Sequence, residues 1–244
     1  MRRIPVCGPE GPIRASAEPD GPRAAVRAVL FDFSGTLFQI GTYADRIRAA
    51  LSRPVDETTM DRLLSGLEAG LLDPDVVAAQ RARDVSSTAH RHAFTTWYAS
   101  VPELAPVADA LYTQLMSPEH WVPYADAEST VCQLAAEGLA LGVVSDVGWD
   151  LRATFAHHGL DRFFSSWVHS YEHRTEKPDP VLFRHACREL DAEPATTLMV
   201  GDHPAKDGDA AGAGLRSYVL PAGAAPGSNR GLDAVLRLVG LNPP

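Results

Sequence analysis

The sequence predicts an α/β fold: a doubly wound, Rossmann-like parallel sheet core carrying an inserted α-helical cap domain. Three observations predict it. Residues 26–33 (VRAVLFDF) form a short apolar run bounded by turn residues, as in a strand buried on both faces. From about residue 126 onward, strand-like and helix-like segments alternate, the pattern of right-handed β-α-β crossovers. Between these regions, over about residues 42–116, apolar residues recur at helical spacing and no strand pattern interrupts them.

Each element follows in order. Residues 1–25 are rich in Pro, Gly and Ala and cannot bury enough apolar surface to offset their ordering entropy, so a flexible tail is expected. The strand over 26–33 ends at Gly35. The helical block holds a segment near Asp61, a start signal at Asp73-Pro74 and a helix over about 105–116. Pro118, Pro123 and the stretch from Trp121 to Tyr124 look like a return linker. Next come helix 126–137, strand 139–145, helix 148–158, strand 163–169, helix 179–190 and strand 196–201. A helix over 205–214, a strand over 215–220 and a last helix near 231–240 complete the chain. The core is therefore assigned to residues 26–40 and 122–244, and the helical insert to 41–121. In such sheets ligands bind at the carboxyl ends of the strands.

Composition narrows the function. The 244 residues are 45% hydrophobic and 22% charged, with a net charge of −9, which disfavours a nucleic-acid partner because phosphates call for a basic patch. A small-molecule partner is expected instead. No apolar run reaches the length of a membrane span, and Met1-Arg2-Arg3 is not followed by an apolar leader. Cys7, Cys132 and Cys187 are odd in number, scattered and without metal-ligand spacing, which points to a reducing, cytoplasmic setting.

Three predicted strands end in a polar residue where a ligand should lie: Asp32, Ser145 and Asp202. Taken singly, Asp32, Ser145, Asp202 and Asp207 could each be a helix cap, and Lys177 a solvated loop cation. Their order is more informative. Asp32-Phe-Ser34-Gly35-Thr36 follows an apolar strand, Ser145 closes Leu-Gly-Val-Val-Ser, Lys177 lies in Glu-Lys-Pro-Asp-Pro, and Gly201-Asp202 is followed by Asp207. In these four motifs, spread over about residues 26–221, the chain resembles the haloacid dehalogenase superfamily, in the branch with a helical cap between the first and second motifs.

The resemblance implies a magnesium-assisted hydrolase. Asp32 would be the nucleophile, since a carboxylate that attacks phosphorus splits one hard displacement into two easier ones. The magnesium ligands would be Asp32, the Ser34 carbonyl and Asp202, with Asp207 in a ligating or supporting role. Ser145 and Lys177 would hold the phosphoryl oxygens. Asp202 and Asp207 are taken for the fourth motif, although the spacing that follows leaves Asp209 as a competitor.

One departure changes the reading. Phosphatases of this superfamily usually carry a second Asp two residues after the nucleophile, where it protonates the leaving group; here that residue is Ser34. A hydroxyl is too weak an acid for the task, and losing a positioned acid or base costs about 10²- to 10⁴-fold. Three readings follow: a phosphatase of a small phosphorylated metabolite with a substitute acid or an acidic leaving group, a 2-haloacid dehalogenase, which needs neither proton nor metal, and a non-catalytic phosphate-binding member. The retained Asp202 and Asp207 favour the first, because crowded carboxylates without a cation repel one another. Substitute acids are sought in Asp146, His203, His90 and His92. In the cap, which would close over the site, Arg46 and His90 join Ser145, Asp146 and Lys177 as substrate-binding candidates, with Tyr43 and Arg91 nearby. Trp97 and Tyr98 read as packing residues.

Overall fold

The computed structural model describes residues 24–221 and 223–242, together with the backbone of two short strands, β1 (Cys7–Gly8) and β2 (Gly11–Pro12), paired antiparallel. The rest of the expected tail over 1–25 lies outside the described residues. The chain then enters β3 (Ala28–Phe31) and β4 (Phe38–Ile40), and passes through helices α1 (Tyr43–Leu51), α2 (Glu57–Gly70), α3 (Pro74–Ala79), α4 (Ser87–Ala99) and α5 (Ala108–Met116). It returns through β5 (Trp121–Pro123) and continues as α6 (Ala127–Ala136), β6 (Ala140–Ser145), α7 (Arg152–His157), β7 (Ser166–His169) and α8 (Ser170–His173). The last elements are α9 (Pro180–Glu189), β8 (Thr197–Gly201), β9 (Arg216–Val219) and α10 (Asp233–Leu238).

The central sheet has the order β7-β6-β3-β8-β9, every pair parallel. Successive side chains point to opposite faces, so each strand feeds two cores. Val29, Phe31, Val143 and Val200 join the larger cluster, while Leu30, Val144 and Met199 face Leu182 and Phe183 of α9 on the other side. All four residues of β3 have no exposed surface, and burying each large side chain contributes about 1.5–3 kcal/mol. That double burial explains why the run reads as continuously apolar.

The helices of the insert begin where their caps dictate. Thr42, Asp56, Asp73 and Ser86 each accept a hydrogen bond from a first-turn backbone N–H of α1, α2, α3 and α4. Two features depart from the sequence reading. The expected linker at 118–124 contains a strand: β5 pairs antiparallel with β4, Ile40 opposite Trp121 and Phe38 opposite Pro123, so the chain leaves and re-enters the core side by side. Pro123 is tolerated because it ends an isolated two-stranded ladder. The expected helix over 205–214 is only a 3-10 turn, Gly208–Ala213. Three glycines in that stretch each cost about 1 kcal/mol in an α-helix. Among the described residues no helix is long and apolar enough to cross a membrane.

Candidate active site

The carboxyl end of β3 delivers Asp32. Its backbone N–H donates to the Val200 carbonyl at 2.9 Å, which extends the ladder one residue past β3 and fixes the carboxylate beside β8. β8 ends one residue before Asp202. The turn after β3 brings the two together: Gly35 has φ +75°, and a Cβ there would lie 2.2 Å from Asp202 Oδ2, so only glycine permits this approach. Carboxylate oxygens of Asp32, Asp202 and Asp207 all lie within 4.8 Å of one another.

Asp207 reaches this cluster from the 3-10 turn. It caps nothing; its side chain has no exposed surface and accepts from Lys177 Nζ at 2.5 Å and from the His203 N–H at 2.9 Å. Gly201 makes room for it, since a Cβ there would collide with the Asp207 carboxyl. Asp209 is exposed, so Asp207 is the carboxylate that faces the cluster. Lys177 Nζ also stands 3.0 Å from Asp32 Oδ1. Burial works against the ammonium, yet Asp32, Asp207 and Asp146 together hold its pKa above the usual lysine range. Burial pushes the Asp32 carboxyl up, and the charge on Asp207 adds to this, against the pull of Lys177 and of a hydrogen bond from Ser145. Asp202 is raised by burial and by the charges of Asp32 and Asp207. One ammonium therefore bonds two of the three carboxylates, Asp32 and Asp207, while the charge of Arg230, ahead of that of Lys177, acts on Asp202.

The donor set suits a hard divalent cation. Asp32 is 13% exposed at its side chain, and no described residue donates a hydrogen bond to the Ser34 carbonyl. Both are oxygen donors, as is Asp202.

The other sequence candidates are placed as follows. Ser145 is buried at the end of β6 and lines the same cavity of about 140 Å³ as Asp32, Lys177 and Asp202. Asp146 lines it too, but both of its oxygens are engaged: Oδ1 accepts from the Lys177 N–H at 2.9 Å and Oδ2 from Lys206 Nζ at 2.7 Å. It anchors the loop that carries the lysine. His203 is exposed, and its Nδ1 accepts from the Lys206 N–H at 3.2 Å. His90 lines a second, larger cavity of about 270 Å³ beneath the helices. Its Nδ1 lies 3.0 Å from the Tyr112 hydroxyl, and burial followed by the charge of Arg83 pushes its pKa down to about 3, so it is a neutral ring and no proton donor near neutral pH. His92 faces a separate surface groove with Asp75 and Ala78.

Arg46 corrects an expectation. It is 1% exposed and lines neither cavity. One nitrogen donates to the Tyr98 hydroxyl at 3.0 Å and to the Leu111 carbonyl at 2.8 Å, and the guanidinium lies 5.1 Å from the Tyr43 ring centre. It stands behind Tyr43, inside the helical block, with no route to a substrate. Tyr43 and Trp97 do line the larger cavity, and Arg91 is on the surface paired with Asp109.

Two residues absent from the sequence reading complete the site. The turn Arg83–Val85, between α3 and α4, carries Arg83 and Asp84 to the strand ends, where both line both cavities. The Asp84 N–H donates to Glu176 Oε1 at 2.9 Å and its carbonyl accepts from the Ser170 hydroxyl at 2.6 Å, so the core pins this turn from two sides. Burial raises the Asp84 carboxyl to about 6; Asp146 and Glu176 add to the rise, and Arg83 and Lys206 oppose it. No local motif announces Asp84, because the groups that hold its backbone, Glu176 and Ser170, lie 92 and 86 residues away.

Comparison with known proteins agrees with this geometry. The haloacid dehalogenase-like hydrolase family matches residues 26–214. The chain is 35% identical over 118 residues to haloacid dehalogenase-like hydrolase domain-containing protein 3 of Danio rerio, covering 48% of this chain and 49% of that protein. The chain thus spans about half the length of that relative. It is 29% identical over 190 residues to the glyceraldehyde 3-phosphate phosphatase of Methanopyrus kandleri, covering 75% of this chain and 78% of that one. Its fold is like that of the L-2-haloacid dehalogenase of Xanthobacter autotrophicus, with a TM-score of 0.63, 22% identity and coverage of 90% of this chain and 85% of that one. The family match extends from β3 through Asp207 and into the turn beyond it, and the chain belongs to the haloacid dehalogenase-like hydrolases.

Proposed function

We propose that this hydrolase is a magnesium-dependent phosphatase of a small phosphorylated metabolite, working through an aspartyl-phosphate on Asp32. The observation that carries the reading is the group of three carboxylates within 4.8 Å, only two of which, Asp32 and Asp207, are bonded by the ammonium of Lys177. Halide displacement by Asp32 would need neither Asp202 nor a cation, and the cluster would then be unfavourable without compensation. The ion would be held by Asp32, the Ser34 carbonyl and Asp202, with Asp207 supporting through Lys177. When bound, magnesium supplies positive charge for the phosphoryl oxygens and for Asp32.

The residues of this chain do the remainder. Asp32 attacks phosphorus in line and the bond to the leaving oxygen breaks, giving the acyl phosphate; water then attacks phosphorus and frees Asp32. Lys177 and the Ser145 hydroxyl orient the phosphoryl oxygens, and both are buried, so they need no reorganisation at the moment of reaction. The helices α1 to α5 act as a cap that excludes water and carries the contacts to the organic part of the substrate. The larger cavity, at about 270 Å³, suits a small molecule and no folded partner. The phosphatase named among its relatives supports the same substrate class.

A second reading, dehalogenation, draws on Ser34, since halide leaves without a proton. A screen over sugar, nucleotide and acyl phosphates and 2-haloacids, each with magnesium or EDTA, decides between them. The expected result is phosphate release that disappears in EDTA. Halide release indifferent to EDTA would overturn the phosphatase reading.

A further inference from the structure

The small cavity over Asp32 and the larger cavity beneath the helices share four lining residues: Ser34, Arg83, Asp84 and Asp146. A substrate with its phosphoryl group at Asp32 and its organic part in the larger cavity has its scissile bond among these four. The proton for the leaving oxygen must come from there. Ser34 is too weak an acid, and an arginine does not give up its proton. Asp146 has one oxygen on the Lys177 N–H and the other on the Lys206 ammonium. His90, which lines the larger cavity only, is occupied by Tyr112 and is neutral.

We infer that Asp84, brought in by the helical insert, is the general acid and base of this site and replaces the carboxyl that is missing at Ser34. The inference rests on the phosphatase reading. Its geometry is that of a fixed group: the side chain is 4% exposed, Arg83 Nε lies 3.3 Å from both carboxylate oxygens, and His90 Nε2 lies 3.6 Å from Oδ1. The charged and titratable groups facing it are Arg83, His90, Tyr112, Asp146, Glu176 and Lys206. With its carboxyl raised to about 6, Asp84 can hold a proton for donation and later accept one near neutral pH.

The proton accounting closes over the two steps. As Asp32 bonds to phosphorus and the bond to the leaving oxygen breaks, the Asp84 carboxyl passes its proton to that oxygen and becomes a carboxylate. When water attacks the acyl phosphate, Asp84 takes a water proton, the bond from phosphorus to Asp32 breaks, and phosphate leaves with both aspartates restored. Because Asp84 is pinned by Glu176 and Ser170 of the core, the acid is in place only while the insert is seated on the strand ends.

The test compares two esters of similar size in magnesium. The leaving group of p-nitrophenyl phosphate needs no proton; that of benzyl phosphate does. Asp84→Asn is expected to lower kcat/KM for benzyl phosphate about 10²- to 10⁴-fold and to change that for p-nitrophenyl phosphate little. With p-nitrophenyl phosphate, whose first step needs no acid, the same variant should accumulate phosphoryl-Asp32 for want of the base, visible by mass after acid quench. Asp84→Ser is read in the same way should Asp84→Asn fold poorly. Equal losses on both esters, or full activity on benzyl phosphate, would overturn the assignment. A wild-type protein that releases phosphate from neither ester and from no phosphate of the screen above overturns the phosphatase reading itself, a failure seen before any substitution is made.

Discussion

Lys177 Nζ lies 2.5 Å from Asp207 Oδ1, and neither side chain has more than 1% of its surface exposed. The pair is closed to water, yet the same ammonium also serves Asp32 at 3.0 Å. Removing the cation leaves two buried carboxylates facing each other, whereas removing Asp207 leaves the cation a partner. Lys177→Met is therefore expected to abolish turnover and to cost about 3–5 kcal/mol in urea unfolding at pH 7. Asp207→Asn should cost about 1–2 kcal/mol. Equal costs would show that Lys177 is not the shared counter-ion.

Gly35→Ala tests the approach of the first turn to Asp202. The substitution combines φ +75° with a Cβ 2.2 Å from Asp202 Oδ2, and a left-handed alanine alone costs about 1–2 kcal/mol. Asp202 must move. Magnesium affinity, read by isothermal titration, is expected to fall about 10- to 100-fold, as it does when a ligand loses its support.

The Asp84 carboxyl gives stability a pH dependence. Its native value, about 6, lies above its unfolded value near 3.8, so the native state holds the proton more tightly and stability is lost as pH rises between those values. The shift corresponds to about 3 kcal/mol. Asp84→Asn, which carries no charge to bury, should gain most of this over wild type at pH 7.5 and only about a third of it at pH 4.5. A stability difference between the two proteins that does not change with pH would show that the buried charge is not the cause.

Ser34→Asp supplies a carboxyl at another residue that, like Asp84, lines both cavities. In the Asp84→Asn background it is expected to restore at least part of the activity on benzyl phosphate, and to leave p-nitrophenyl phosphate nearly unchanged. Failure to restore any activity would mean that position 34 cannot reach the leaving oxygen.

Arg46→Met is expected to leave KM unchanged for every substrate, because Arg46 bonds to Tyr98 and Leu111 inside the helical block. A large rise in KM would return it to the substrate site.

The strands and the residues at their ends were legible in the sequence because both are local. A strand buried on two faces must read as an apolar run, and Asp32, Ser145 and Asp202 stand at or one residue past the ends of β3, β6 and β8. Lys177 and Asp207 were legible through motif order, and the structure pairs them. What the sequence hid depends on distant contact. Asp84 resembles any loop aspartate until Glu176 and Ser170 hold it, and Arg46 resembles a solvated helix residue until Tyr43 and Tyr98 close over it. The Gly208–Ala213 turn misled for another reason: its alanines suggest a helix while its glycines weaken one.

The pairing of β4 with β5 has a consequence for evolution and for engineering. Ile40 and Trp121 are direct partners across the ladder, so the eighty residues between them begin and end one strand spacing apart. Closing that gap requires only a hairpin turn. The whole helical block can thus be exchanged for another of different length without altering the path of the sheet. The block carries part of the lining of the substrate cavity and the proposed acid Asp84, so a graft at this junction would alter substrate choice and replace the proton donor together.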